Sequence, residues 1–193
     1  MDRRQKKTRK AIYNAFSELI QEKNYADITI QDIIDRADIG RSTFYAHFQT
    51  KNELLEDLCS QIFEHVVLDH SAREDTHDFS KAPDTLTEML THLLYHLKGQ
   101  EQIVSGMLLS GSSQVFLRYL DGYLSDLLSG FIPENTAAPK EYLMDAAVHS
   151  FSRTVIWWAQ HHMSETPEQM EQMFETAVPW LEFDAARKTK EPA

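Results

Sequence analysis

The sequence predicts an all-α protein with a small N-terminal domain of short helices and a larger helical bundle after it. Apolar residues recur at helical spacing along most of the 193 residues, and no segment shows the alternation of a half-buried strand. Glycine and proline number only six each, so few turns interrupt the helices. Two short helical segments, joined by a three-residue turn, lie between a first helix and a long fourth helix and set the N-terminal part apart.

Three helices are expected before residue 50. The first buries one face, formed by Ile12, Phe16, Leu19 and Ile20. The second begins at the N-cap Thr29, with a carboxylate three residues later that nearly completes a capping box. A turn follows in which Asp38 tolerates the left-handed conformation and Gly40 adopts it freely. The third helix covers residues 41–47.

Longer helices make up the rest of the chain. Thr50 opens the fourth helix with a full capping box to Glu53. Residues 70–84 are polar and aperiodic, which indicates a loop. Later helices are expected around 86–97, between Gly99 and Gly111, at 116–131, at 140–163, and from the N-cap Thr166 and Pro167 up to Pro179. We therefore predict domains at 1–52 and 53–185, with a frayed tail at 186–193.

Charge is divided unevenly along the chain. The net charge is −11, yet residues 1–51 carry ten basic and seven acidic side chains, whereas the remainder carries nine and 23. Six of the basic residues lie at the start, namely Arg3, Arg4, Lys6, Lys7, Arg9 and Lys10. A basic head on an acidic body indicates that one end meets a polyanion. The alternative is a solvated, disordered tail.

The stretch 38–58 is typical of a helix-turn-helix, in which the second short helix lies in the DNA major groove. Phe44 and Phe48 share one face and anchor this helix to the small core. The other side carries groups that suit phosphates or base edges, namely Ser42, Thr43, Tyr45 and His47. Lys51 starts the next helix, where a bound phosphate would be favourable. The alternative is a helical bundle without a role on DNA.

The run "TIQDIIDRADIGRSTFYAHFQTKNELL" resembles the DNA-binding domain of the TetR family of bacterial transcriptional regulators, and the resemblance covers residues 8 to 58. It implies phosphate contacts from Thr29, Tyr45, His47 and Lys51. It also implies base reading by Arg41, Ser42 and Thr43. We expect Arg3, Arg4, Lys6 and Lys7 to form a flexible arm along the DNA backbone. Asp38 and Gly40 depart from the family pattern, and Gly40 leaves the register of the base contacts open.

The resemblance further implies a dimerising, ligand-binding second domain, and the 140–163 segment supports dimerisation independently. Its apolar arc covers roughly 200°, about twice what a single contact needs. We predict a homodimer interface built from Met144, Val148, Phe151, Val155, Met170, Met173, Phe174, Ala177 and Leu181. The adjacent face, Leu143, Ala147, Ser150, Thr154 and Trp157, is the other candidate. A central helix buried inside a monomer is the alternative.

Histidine and aromatic residues are the candidates for ligand binding in the second domain. His92 and His96 are four apart, but no complete set of metal ligands accompanies them, so no metal and no cofactor are expected. Tyr95, Trp157 and Trp158 suit either an aromatic cavity or ordinary core. The ligand-binding residues stay unknown, and the expected effector is a small organic molecule.

We predict a repressor that binds a palindromic DNA operator as a homodimer and is released by that effector. A helical-bundle enzyme is one rival, but no catalytic motif is present and Cys59 has no adjacent base. An effector-independent DNA-binding protein, with its second domain used for dimer or protein contacts, is another. The longest apolar run, 155–159, is too short to span a bilayer and no secretory signal is seen, so a cytoplasmic protein with no membrane partner is expected.

Overall fold

The computed structural model describes residues 3–68, 85–109, 113–134 and 136–183. Within these ranges it contains α-helices and one short 3₁₀ helix, Tyr25–Asp27, but no β-strand, which confirms the all-α prediction. The α-helices are α1 Arg3–Glu22, α2 Ile30–Ala37, α3 Arg41–Tyr45, α4 Lys51–Leu68, α5 Leu86–Gly99, α6 Glu101–Leu109, α7 Ser113–Leu128, α8 Lys140–Gln160 and α9 Pro167–Ala177.

The N-terminal helices pack around one part of a hydrophobic core that continues into the later helices. α1 packs against α2 through its predicted apolar face, and all four side chains of that face are buried: Ile12, Phe16, Leu19 and Ile20. Phe44 and Phe48 complete this core from α3 and the residues after it, with ring centroids 6.2 Å apart. The predicted anchoring of the third helix by these two rings is confirmed.

Local capping chemistry fixes where several helices begin. Thr29 and Thr166 each accept a hydrogen bond from the amide three residues later and form reciprocal capping boxes, so α2 and α9 start where predicted. Thr50 also accepts from the Glu53 amide, at 3.0 Å. The carboxylate of Glu53, however, accepts from the Gln49 amide at 2.6 Å instead of from Thr50, so the predicted capping box is shifted by one residue.

The C-terminal bundle is built around α8, which packs against α6, α7 and α9. α8 ends at Gln160, three residues before the predicted end, and α9 ends at Ala177, two residues before Pro179. Backbone amides at the start of α5 donate to the Phe183 carbonyl, which ties the end of the described chain to α5.

α1 and α6 join the two parts of the molecule at close range. A Cβ added to Gly106 on α6 would lie 2.7 Å from Cγ2 of Ile20 on α1, closer than real Cβ contacts. Glycine at this position therefore allows the two helices to approach. α4 also bridges the two parts, because it starts beside α3 and Phe63 on it packs against Phe116 and Tyr123 of α7.

Some predictions fall on other parts of the chain. The loop at 70–84, the tail at 186–193 and the turn at Gly111 lie outside the described residues. None of the described helices combines the length and the apolar character needed to cross a bilayer.

Candidate nucleic-acid interface

The turn between α2 and α3 gives this pair of helices its geometry. Asp38 caps the C-terminus of α2 in the left-handed conformation, with φ of 51°. Gly40 is instead extended, with φ of −78°, so the expectation that it adopts the left-handed conformation is wrong. Its carbonyl accepts from the amides of Thr43 and Phe44 and starts α3 without a side-chain cap. Asp38 alone supplies the sharp reversal.

α3 presents its polar side to solvent. Arg41, Ser42 and Tyr45 are exposed, with Tyr45 at 39% of its full area, and Thr43 and His47 are half-buried. The Arg41 guanidinium donates to Oε1 of Gln31 on α2 at 2.9 Å, which holds it across the helix pair. The structure thus brings the residues implied for base reading to one accessible surface.

The basic N-terminal residues belong to α1, not to a flexible arm. α1 begins at Arg3, so Arg3, Arg4, Lys6 and Lys7 are helical and the predicted arm is wrong. All four side chains are exposed. A helix continues through them because their long unbranched side chains favour helix and no proline or glycine interrupts the run. Their charges therefore have fixed directions relative to α3.

A groove of about 480 Å³ separates the start of α1 from α3. It is lined by Arg4, Gln5, Thr8, Arg9, Ser42, Thr43, Ala46 and His47. Sequence reasoning did not assign Gln5, Thr8 or Arg9 to the site. The available signal was helical spacing, since Arg4 and Thr8 are four apart and share a face only if α1 extends to Arg3.

Arg9 lines this groove and connects several of the elements around it. Its guanidinium lies 5.1 Å from the centroid of the Phe48 ring and donates to the Tyr13 hydroxyl at 2.6 Å and to the Asp57 carboxylate. Tyr13 donates to the same carboxylate. Burial raises the pKa of the Tyr13 phenol to about 12, so this donor keeps its proton at neutral pH. The network ties α1 to α4 directly behind α3.

Thr29 lies exposed at the N-terminus of α2, as a phosphate contact requires. Its partner Asp32 accepts from Lys23 at 2.8 Å, and hydrogen bonds from Lys23 and Thr29 hold the pKa of that carboxyl well below its usual range. Lys51 differs from the expectation. Its ammonium is engaged by the backbone carbonyls of Tyr25, Ala26 and Ile28 instead of pointing to solvent.

The predicted dimer residues divide into two groups. Six are buried inside the single chain, namely Val148, Phe151, Val155, Met170, Phe174 and Leu181. These side chains form the protein's own core, so their assignment to an interface is revised. Met144 is half-buried, while Met173 and Ala177 on α9 are exposed. Along α8, the half-buried residues Ala146, Ser150, Thr154 and Trp157 lie on one side at spacings of four and three.

Among the described residues, His92, His96 and Cys59 were the candidates for metal or catalytic chemistry. His92 is buried, and its Nε2 lies 2.8 Å from Nε2 of His96. Among the described residues, no cluster of three or more His, Cys, Asp or Glu side chains is placed to hold a metal ion. Cys59 is buried, and burial raises the pKa of its thiol to about 12, far from a nucleophilic thiolate. Trp158 is fully buried core, whereas Trp157 stacks on His161 at 4.0 Å.

Comparison with known proteins finds relatives of both parts of the chain. A family model for bacterial regulatory proteins of the tetR family matches residues 8–58, and a model for a transcriptional regulator C-terminal region matches residues 84–179. The crystal structure of a TetR transcriptional regulator from Streptococcus agalactiae is similar at 32% identity with a TM-score of 0.69, covering 92% of this chain and 96% of that one.

Two curated relatives are matched over shorter parts of their length. An uncharacterized HTH-type transcriptional regulator of Bacillus subtilis, YxbF, is 29% identical over 167 residues, or 74% of this chain and 44% of the relative. The dhaKLM operon transcriptional activator DhaS of Lactococcus lactis is 39% identical over 64 residues, or 33% of this chain and 34% of the relative. The chain thus spans less than half the length of either. On the two family models and the structural match over 92% of its length, the chain belongs to the TetR family of DNA-binding bacterial transcriptional regulators.

Proposed function

We propose that this regulator represses transcription by binding a palindromic operator as a homodimer and that a small organic effector releases it. The observation that carries the DNA part is the groove between α1 and α3, where the exposed Arg4 lies beside the polar face of a short helix. A dimer that covers an operator blocks access of other proteins to the same DNA, which makes repression the simplest outcome.

On DNA, α3 enters the major groove with its first turn toward the base edges. Arg41, Ser42 and Thr43 then read bases, since their side chains are accessible at that end. Tyr45, His47 and Thr29 contact phosphates and fix the register. The basic residues of α1 follow the backbone along the edge of the groove between α1 and α3.

Variants of α3 test this assignment. Thr43→Ala should change the preferred operator and leave the salt dependence of binding nearly unchanged, because no charge is lost. Tyr45→Ala should weaken operator binding by roughly 1–3 kcal/mol, as expected for a well-placed contact. DNA-affinity selection identifies the operator, and titrations against operator and scrambled DNA measure both effects. Tyr142→Ala is the matched control, because Tyr142 is an exposed aromatic residue on α8. Equal loss on both DNAs for Thr43→Ala would contradict base reading by Thr43, and loss on operator DNA alone for Tyr45→Ala would contradict a phosphate contact by Tyr45.

The homodimer uses the partly exposed side of α8 and the exposed side of α9. We define the α8–α9 edge as Ala146, Ser150, Thr154, Trp157, Met173 and Ala177. Small residues on α8 allow a second helix to approach closely, and Trp157 and Met173 supply apolar area to bury. Two-fold symmetry of such a dimer matches two half-sites of a palindrome. The α8 part of this edge overlaps the second face considered from the sequence.

An effector in the second domain would act by population shift. It favours the arrangement in which the distance between the two DNA-binding parts of the dimer does not match the spacing of the operator half-sites, and so lowers operator affinity. The contacts that connect the domains are the packing of α1 on α6 at Gly106 and the course of α4 from α3 to α7. Movement of α6 or α7 therefore reaches α1 and α4 directly.

We expect an organic effector and not a metal ion. Titration calorimetry with zinc and nickel checks this, and no stoichiometric binding is expected in either wild type or His92→Ala with His96→Ala. Tight binding to wild type that the histidine variants lose would show a metal effector. Ligand screening by thermal shift then identifies organic candidates, because a ligand that binds only the native state raises the midpoint.

A second candidate is activation. The chain is 39% identical over 64 residues to DhaS, which is named an activator. A reporter gene placed downstream of the selected operator shows whether the protein represses or activates transcription. Expression that falls when the protein is supplied supports repression, and expression that rises supports activation.

A further inference from the structure

Lys51, the first residue of α4, is fully engaged inside the protein. Its ammonium donates to the carbonyl oxygens of Tyr25 at 2.7 Å, Ala26 at 3.1 Å and Ile28 at 2.7 Å. An ammonium group has three N–H donors, so these three acceptors use all of them. Nζ also lies 4.5 Å from the centroid of the Tyr25 ring, within cation–π range.

The three carbonyls belong to the end of the 3₁₀ helix Tyr25–Asp27 and to its C-cap. Carbonyls at a helix C-terminus carry partial negative charge, which a cation stabilises. The Tyr25 carbonyl accepts from the Ile28 amide at 3.2 Å as well as from Lys51. Lys51 therefore acts as an intramolecular C-cap supplied from a distant helix. Burial lowers the pKa of its ammonium, in agreement with a partly desolvated position.

Neighbouring contacts make this segment one unit with the start of α4. The Tyr25 hydroxyl donates to Oδ1 of Asn52. At the other end of the segment, Lys23 pairs with Asp32, and Asp32 forms the capping box of α2 with the N-cap Thr29. The position of the N-terminus of α2 is thus set by the first turn of α4.

We propose that Lys51 is a positioning residue that fixes the N-terminus of α2 for DNA binding and is not itself a phosphate ligand. Reaching a phosphate would require the ammonium to leave the carbonyls of Tyr25 and Ile28, which are partly shielded from water. The same contacts join the first turn of α4 to the segment that immediately precedes Thr29. This inference rests on the proposed operator binding.

Two variants of Lys51 separate positioning from phosphate contact. Lys51→Met keeps the aliphatic stem and removes the charge and the donors. We expect operator affinity to fall on the order of tenfold, because three charge-assisted hydrogen bonds are removed and the N-terminus of α2 loosens. The slope of log affinity against log salt should stay at the wild-type value. Hydrogen exchange of amides 24–29, measured without DNA, should accelerate.

Lys51→Arg is the second variant, and it decides the matter if Lys51→Met fails to fold. Arginine binds phosphate at least as well as lysine. Its planar guanidinium, however, cannot direct three N–H donors from a single nitrogen to the three carbonyls. Positioning therefore predicts reduced affinity and faster exchange of the 24–29 amides. A phosphate contact predicts preserved affinity and unchanged exchange.

Lys7→Met on α1 is the matched control, since it removes one exposed lysine that is proposed to contact phosphate. It should lower the salt slope by up to about 0.9 per half-site and leave exchange at 24–29 unchanged. The proposal for Lys51 is overturned if Lys51→Met lowers the slope in the same way, or if exchange accelerates with operator affinity intact. Absence of operator binding by wild type would instead defeat the proposed function, while the exchange measurement would still test the contacts of Lys51.

Discussion

Phe151→Ala is expected to lower the free energy of unfolding by about 3–5 kcal/mol, the usual cost of deleting a buried aromatic ring. The Phe151 ring is completely buried, and its centroid lies 5.0 Å from that of Phe174 in an edge-to-face contact. Phe174 also packs against Phe183. Since natural domains are stable by only about 5–15 kcal/mol, this one substitution removes a large part of the total. Urea denaturation followed by circular dichroism measures the loss.

Met173→Glu is the counterpart that tests the dimer. Met173 is 42% exposed on α9, so the substitution leaves the core of the single chain intact and the midpoint of monomer unfolding nearly unchanged. At the α8–α9 edge the substitution places an unpaired carboxylate from each subunit in the proposed dimer interface, and it should dissociate the dimer. Light scattering at micromolar concentration distinguishes the two states. A folded wild-type protein that is monomeric under these conditions would defeat the dimer proposal, and a dimeric Met173→Glu variant would move the interface elsewhere.

The sequence could not separate these two kinds of position. Phe151 and Ser150 are neighbours on a helix whose apolar and small residues cover a wide arc, and both positions are compatible with the core of one chain or with a dimer interface. Which side is covered depends on where α6, α7 and α9 lie around α8. That information is spread over the whole chain and not contained in the periodicity of one helix.

Local chemistry was predictable, by contrast. The capping boxes at Thr29 and Thr166, the left-handed Asp38 and the Phe44–Phe48 anchor each depend on residues a few positions apart. Such interactions form from the chain's own neighbours, so a short segment encodes them.

Interactions across long separations were missed for the same reason. Lys51 reaches carbonyls 23 to 26 residues away, and Arg9 meets Asp57 across 48 residues. Both side chains looked like free charges in the sequence. Only the packing of α1, α4 and the 3₁₀ helix shows that each already has acceptors.

The largest effect on DNA is expected from α1. Replacing Arg3, Arg4, Lys6 and Lys7 together by Gln should weaken binding to operator and random DNA alike, on the order of a hundredfold or more at physiological salt. These charges meet phosphates, and their contribution is mainly release of counterions, which is almost independent of base sequence. The slope against log salt should flatten by up to about 0.9 for each phosphate that the protein no longer neutralises. Glutamine preserves helix propensity, so α1 itself should persist.

Because these residues are helical, the four charges should not contribute equally. Arg4 lines the groove beside Ser42 and Thr43, whereas Lys6 does not. At about 100° per residue, Lys6 points roughly 160° away from Arg4 around the α1 axis. Arg4→Gln should therefore lower affinity and salt slope more than Lys6→Gln, and Lys140→Gln, an exposed lysine at the start of α8, serves as the matched loss of charge. Equal effects at Arg4 and Lys6 would favour a flexible arm, in which direction is not fixed. Loss of operator affinity alone, with random DNA bound as before, would mean that α1 reads sequence.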